Sequence, residues 1–167
     1  MFENLLDLVK QHAGEAIIEN PAIPNERNDE AVQLASSSIF DGLKNAASSG
    51  NISDIMHMFS GGGDAGNNAV SQNIQGGFVQ NLMDKFGLDK NAAGGIASNL
   101  IPTVLNKLVH KTNDPNDSSF DLQGMLSKIG GGNLDIQGLI GKFTGGGSGN
   151  GSSSGGILDS LKGLFGK

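Results

Sequence analysis

The chain has 167 residues, of which 27 are glycine and none is cysteine, and its formal net charge is −6. Without cysteine there are no disulfides, thiolate metal sites or cysteine nucleophiles, and a single arginine with no basic cluster argues against nucleic-acid binding. No stretch approaches the roughly 20 apolar residues of a membrane span, and the acidic start lacks the basic region of a signal peptide, so we expect a soluble, cytoplasmic protein.

The first two predicted helices lie in residues 2–48. An apolar stripe of helical spacing predicts a helix over residues 2–19, which ends at Asn20 because the following proline disfavours helical backbone there. Asn25 or Asn28 is expected to cap a second helix, which Ser48-Ser49-Gly50 ends. The expected buried positions are Phe2, Leu5, Leu6, Val9, Ala13, Ala16 and Ile17, then Ala31, Ala35, Ile39, Leu43 and Ala46.

A short unit follows, and then a longer helix. Asn51 is expected to cap an amphipathic helix over 52–60, which three glycines end. Asn67 or Asn68 begins the next helix and Gly87 ends it, with Val70, Ile74, Phe78, Leu82 and Phe86 inside. Gly76-Gly77 lies in its middle, and because mid-helix glycine costs about 1 kcal/mol, the pair predicts a close crossing by another helix.

Asp89 is the expected cap of the last long helix, which reaches residue 111. Its predicted buried positions are Ala93, Ile96, Ala97, Leu100, Val104, Leu105 and Leu108. Pro102 either kinks this helix or divides it into 89–100 and 102–111. A polar turn occupies 112–119. No segment alternates with period two, so the predicted class is all-α, a multi-helix orthogonal bundle with short glycine-terminated helices.

The short amphipathic unit recurs after this body. Copies lie at Phe120–Ile129, Leu134–Thr144 and Ile157–Phe165. Helices of this length are not stable alone in water, so each must dock on something. The predicted organisation is a helical domain over 1–144, with its body at about 1–111, a flexible Gly/Ser-rich linker over 145–156, and a tethered amphipathic helix over 157–167.

One stretch carries a family resemblance. Phe86-Gly87-Leu88-Asp89, a small-residue helix, and Leu100-Ile101-Pro102 occur in that order. This order resembles the bacterial DUF937 family of uncharacterised helical proteins, which includes YidB-like proteins, over roughly residues 67–145. The resemblance implies a compact helical fold, and it brings no catalytic residue and no cofactor.

No constellation of residues points to catalysis or to a metal. His12, His57 and His110 lie on different predicted helices without a second ligand at metal spacing. Asp114, Asn116 and Ser118 are spaced like the start of a calcium loop, but the later glycine and glutamate positions are occupied by Ser119 and Met125. We therefore expect a protein that is not an enzyme, with no cofactor, no metal and no catalytic residue.

The predicted function is that of a non-enzymatic interaction or assembly protein, which binds a protein partner or another copy through short apolar helix faces. Three alternatives stay open for the C-terminal helix: return to its own domain, disorder, and weak membrane contact. A second hypothesis is a carrier of a small apolar ligand or lipid, with a cavity between helices loosened by Gly76 and Gly77. The candidate partner-binding residues are Ile157, Leu158, Leu161, Leu164, Phe165, Leu139, Ile140 and Phe143.

Overall fold

The computed structural model describes residues 2–60, 64–117, 119, 120, 124 and 127. These residues contain helices and turns and no strand, so the predicted all-α class is confirmed. A single turn of π-helix lies at Gly14–Ile18 and a 3-10 turn at Asn25–Arg27. The α-helices are α1 (Phe2–His12), α2 (Asn28–Ser48), α3 (Ile52–Phe59), α4 (Ala69–Phe86) and α5 (Lys90–Asn113).

The four longer helices close a ring around one core. Helix α2 packs against α1 and α4, and α5 packs against α4 and α1, while α3 contacts α2, α4 and α5. The predicted stripes of α4 and α5 form much of this core, since each of their predicted apolar positions except Phe86 is buried. Burial of these faces holds the helices together, because the hydrophobic effect scales with the apolar area removed from water.

The first predicted helix is interrupted. It was expected to continue to residue 19, but α1 ends at His12, and the next turn is wider because the amide of Ile18 donates to the carbonyl of Ala13 (3.1 Å). Gly14, a poor helix former, begins that wider turn. The wide turn leaves Ile17 fully buried and its neighbour Ile18 47% exposed.

The start of α2 differs from its predicted cap. Neither Asn25 nor Asn28 caps it with a side chain, and a 3-10 turn leads directly into the helix. Arg27 fastens this junction, because its guanidinium donates to Glu30 and to the carbonyl of Lys85 (3.0 Å). It also lies 4.1 Å from the centre of the Phe86 ring. A long-range clamp therefore takes the place of a local cap.

The boundaries of α4 and α5 follow the sequence closely. The Asn68 side chain accepts from the amide of Ser71 (2.8 Å), and Gly87 ends α4 in the left-handed region at φ 66°. The Asp89 side chain accepts two amides at the start of α5. Pro102 does not divide α5, which is one helix from Lys90 to Asn113.

The predicted helix crossing at Gly76-Gly77 is wrong. Both glycines are exposed, and a Cβ at either position would have no atom within 4 Å among the described residues. The close approach lies at Gly42 in α2, where a Cβ would overlap the Ile74 side chain of α4. The α4 stripe is buried, and Gly76-Gly77 lies on the opposite, solvent side.

Helix α3 is the described example of the glycine-stopped unit. Its residues Ile55, Met56, Met58 and Phe59 are buried, and the side-chain Nδ2 of Asn113 donates to the carbonyl of Phe59 (2.7 Å). Asn51 precedes the helix but makes no side-chain cap, contrary to expectation. The unit is therefore stabilised by docking on the body and not by local capping.

Candidate functional site

The predicted partner-binding residues, at 139–143 and 157–165, lie outside the described residues, as do the linker 145–156 and the predicted boundary at 144. The described residues can still be searched for chemistry. Among them, no three His, Asp or Glu side chains are grouped to hold a metal ion. Nor does any described helix have the length and apolar character that crossing a membrane requires.

The calcium-like stretch is a hydrogen-bonded turn. The carboxylate of Asp114 accepts from the amide of Asn116 (2.9 Å), and Asp117 accepts from the amide of Ser119 (2.9 Å). Lys111 donates to the other oxygen of Asp117 at 2.8 Å. The Lys111 bond, followed by those from Ser119, holds the pKa of Asp117 well below its usual range. These carboxylates therefore order the chain after α5.

That turn seats the following chain on the body. The Asn4 side chain donates to the carbonyl of Ser119 (2.8 Å), and Phe120 is only 3% exposed. A small cleft lined by Leu8, Gln11 and Lys111, among others, lies beside Phe120. Ser119 and Phe120 thus lie at the seam between α1 and α5.

A larger groove continues along the same seam. It has a volume of about 680 Å³, with one wall formed by residues 11–20 and the other by residues 91–103 of α5. Gln11 lines both the groove and the cleft beside Phe120. We call it the π-turn groove, because the π-helical turn at Gly14–Ile18 forms part of its first wall.

The π-turn groove has an apolar floor and a polar rim. The apolar residues at its floor are Ala16, Ala92, Ile96 and Leu100, of which Ile96 and Leu100 are almost fully buried. The rim carries Gln11, His12, Glu15, Asn20, Asn91, Asn99 and Thr103.

Some polar groups at the rim already form hydrogen bonds within the protein. Asn20 donates to the carbonyl of Ala16 and accepts from the amide of Ala22, so its side chain shapes the turn. The side-chain Nδ2 of Asn99 donates to the carbonyl of Gly95 (3.1 Å). Within the described part of the chain, the side chains of Gln11, His12 and Asn91 make no such bonds and remain available to an occupant.

This groove was not predicted, although the sequence of α5 carries a pattern that indicates one of its walls. Asn91, Gly95, Asn99 and Thr103 follow one another at four-residue spacing, which places small and polar residues on one face of α5. The opposite wall could not be located from sequence, because the contact of residues 11–20 with α5 is set by tertiary packing.

The family signature lies at positions that shape the backbone. The ring of Phe86 packs against the guanidinium of Arg27. Gly87 ends α4 in the left-handed backbone region, and the side chain of Asp89 caps α5. Pro102 lies against Gly66, where a Cβ would approach its Cβ to 2.5 Å.

A family model for a bacterial protein of unknown function, DUF937, matches residues 68–167. The chain belongs to the DUF937 family. The matched region begins at Asn68, the cap of α4, so α1, α2 and α3 precede it. In this DUF937 protein the π-turn groove therefore joins one wall from the family region to one from the N-terminal segment. Neither a curated protein nor a solved structure matches the chain.

Proposed function

We propose that the protein is a non-enzymatic interaction or assembly protein, which binds a partner or another copy through the apolar faces of its short C-terminal helices. The contact residues would be Ile157, Leu158, Leu161, Leu164 and Phe165, with Leu139, Ile140 and Phe143 as a second face. The proposal includes a cytoplasmic location, which cell fractionation tests.

The observation that carries the proposal is the docking of α3. This unit has the same design as the later ones, a short apolar face ended by glycines, and it buries four side chains against the body. Because such a helix is too short to be stable alone, the later units need comparable partners.

The body itself offers little apolar surface to a partner. Among the described residues, the large hydrophobic side chains that are strongly exposed are Phe2 and Ile18, at 40% and 47%. They lie at opposite ends of the α1–π-turn segment. An interaction driven by apolar burial would therefore use the C-terminal segments more readily than the body.

The test is the molar mass of the full chain in solution by light scattering. Refractive index must give the concentration, because the chain has no Trp or Tyr. We expect the full chain to form a species larger than a monomer, and Leu161→Asp with Phe165→Asp to return it to monomer.

A matched control separates the apolar face from charge. Ser160→Asp with Lys162→Gln makes the same change of two charge units on the polar side of the segment, and should leave the association intact. A monomeric wild-type chain would contradict assembly. Equal association of the wild type and the Leu161/Phe165 variant would exclude the C-terminal face as the contact.

A small-ligand carrier is the second candidate, favoured by the apolar floor and polar rim of the π-turn groove, which are typical of ligand sites. Gly76 and Gly77, expected to loosen a cavity, do not line this groove. Native mass spectrometry of the purified protein tests it. A discrete added lipid mass would support a carrier, and a bare chain would argue against one.

A further inference from the structure

We infer that the π-turn groove binds an extended peptide segment of a partner protein, about five residues long, that carries a basic side chain. The inference goes beyond the proposed function, because it uses a surface of the helical body and not the C-terminal faces. It also differs from lipid carriage, the second candidate, because it takes the polar groups of the groove as the ones that hold the ligand.

The groups that the groove exposes are mainly polar. Ile96 and Leu100 are 2% and 1% exposed, so they offer almost no apolar area to an occupant. The exposed lining residues are polar side chains and one glycine, namely Gln11, Glu15, Asn91, Gly95, Asn99 and Thr103. An occupant must therefore be held by hydrogen bonds, which favours a ligand rich in donors and acceptors over a lipid tail.

Three of these exposed side chains, those of Gln11, Asn91 and Asn99, are carboxamides. A carboxamide has two N–H donors and a carbonyl acceptor, so it can pair with the N–H and C=O groups of a peptide backbone of any sequence. Asn99 uses one donor on the carbonyl of Gly95 and keeps its own carbonyl oxygen for an occupant. The groove therefore presents peptide-like donors and acceptors on both of its walls.

The spacing of the groups on α5 fits an extended chain. Asn91 and Asn99 are eight residues apart, which is about 12 Å along the helix axis. Four residues of extended backbone advance about 13 Å, so two peptide groups on the same side of a strand come within reach of both side chains. The wall from Asn91 to Thr103 spans about 18 Å, the length of about five extended residues.

The centre of that wall is open. Gly95 lies midway between Asn91 and Asn99, and a Cβ at this position would have no atom within 4 Å among the described residues. Glycine lets another backbone approach a helix closely, because no side chain stands between them. A peptide can therefore lie directly on α5 with the two carboxamides flanking it.

The lining also selects between ligand classes. None of the described residues that line the groove is Lys or Arg, which argues against a phosphate-bearing ligand. None is Phe, and the chain has no Trp or Tyr, so a nucleobase has no large ring to stack on. Glu15 is an exposed carboxylate in this lining, and it attracts a Lys or Arg side chain of a bound peptide.

Affinity selection with the purified full chain tests the inference. The probe is a library of acetylated and amidated hexapeptides with every position varied, and bound peptides are identified by mass spectrometry. We expect the enriched peptides to carry Lys or Arg at one fixed position. No enrichment on the wild-type chain would overturn the inference.

A matched pair of variants shows whether selection takes place in the groove. Gly95→Leu fills the centre of the groove and should abolish the enrichment. Gly76→Leu is the control, because Gly76 is also an exposed mid-helix glycine with no atom within 4 Å of a Cβ. Both substitutions raise helix propensity, so neither weakens its helix. Equal enrichment on the Gly95→Leu chain would refute binding in the groove.

The extended conformation has a test of its own. The most enriched peptide is resynthesised with a methyl group on one backbone nitrogen at a time, which removes that N–H donor. Alternate N–H groups of an extended chain point to the same side. Methylation should therefore weaken binding about fivefold at every second position and little at the positions between them. Equal sensitivity at consecutive positions, or none at all, would contradict recognition of an extended backbone.

Two side-chain variants assign the contacts. Asn91→Ala should weaken binding of the selected peptide about fivefold, whereas Asn45→Ala, at an exposed asparagine of α2, should not change it. Glu15→Gln should reduce the preference for a basic over a neutral residue about two- to fivefold, because an exposed ion pair is lost. Unchanged binding to the Asn91→Ala chain and an unchanged preference of the Glu15→Gln chain would both contradict the inference.

The inference and the proposed function fail separately. Peptide selection by a chain that stays monomeric would keep the groove site and reject assembly. Loss of association in the Leu161/Phe165 variant, with no peptide selected by the wild type, would keep the interaction function and reject the groove site. A copurifying lipid that is lost from the Gly95→Leu chain would instead assign the groove to the second candidate function and overturn the inference.

Discussion

Replacing Gly42 with alanine tests the tightest helix crossing in the fold. A Cβ at this position would overlap Cγ1 of Ile74 and lie 3.2 Å from its Cδ1 and 3.4 Å from its Cβ. Ile74 is 1% exposed, so it has no room to move without disturbing the core. Gly76→Ala is the matched control, since the same substitution on α4 meets no atom within 4 Å.

The two variants together isolate the packing cost. Both gain about 1 kcal/mol of helix propensity, so this term cancels in their difference. Overpacking a filled core costs about 1–3 kcal/mol, and we expect Gly42→Ala to be less stable than Gly76→Ala by that amount. At about 2–4 °C per kcal/mol for a chain of this size, the two Tm values should differ by about 5 °C.

Urea unfolding followed by circular dichroism at 222 nm is the assay, because the chain has no Trp or Tyr for fluorescence. Equal m-values would show that the variants differ in stability and not in compactness. If Gly42→Ala matched Gly76→Ala in stability, the α2–α4 crossing would have room for the added methyl group, and the predicted packing cost would be refuted.

Three further predictions concern Phe120, the turn after α5 and the Arg27 clamp at α2. Phe120→Ala should lower the free energy of unfolding by about 3 kcal/mol, whereas Phe2→Ala, at an exposed ring, should cost far less; equal losses would show that Phe120 is not anchored. Because the folded pKa of Asp117 lies below its unfolded value, its pairing with Lys111 stabilises the fold at neutral pH and is lost as the pH falls below about 4. Acid titration followed by circular dichroism should therefore show a flatter decline in stability for Asp117→Asn, and an unchanged slope would exclude the pair. Arg27→Ala should lower the Tm, and Arg27→Lys should recover only part of the loss because lysine lacks the planar fork; full recovery would mean that charge alone matters.

Local rules were sufficient for the ends of α4 and α5. The side chains of Asn68 and Asp89 lie within reach of the amides they cap, and Gly87 adopts a backbone region that other residues avoid. The same reasoning failed at Asn25, Asn28 and Asn51, where no side-chain cap forms. At the start of α2 a distant contact from Arg27 to α4 took over the role of the cap.

The apolar stripes also identified most of the core, but not which glycines lie at a crossing. Gly76-Gly77 and Gly42 look alike in sequence, since each lies within a helical stretch. Only the packing of α2 on α4 decided that Gly42 faces Ile74 and that the pair faces solvent. The π-turn groove also depends partly on sequence and partly on packing. The four-residue spacing in α5 indicates one of its walls, whereas no local pattern indicates the other.

The sequence by itself determined the all-α class, the helix ends set by local hydrogen bonds, and the buried stripes, because periodicity, capping and propensity act over a few residues. Tertiary structure alone decided the π-helical turn, the Arg27 clamp, the close approach at Gly42 and the groove along α1 and α5. Each of these depends on which distant helix faces which, and that is set by the filling of a common core.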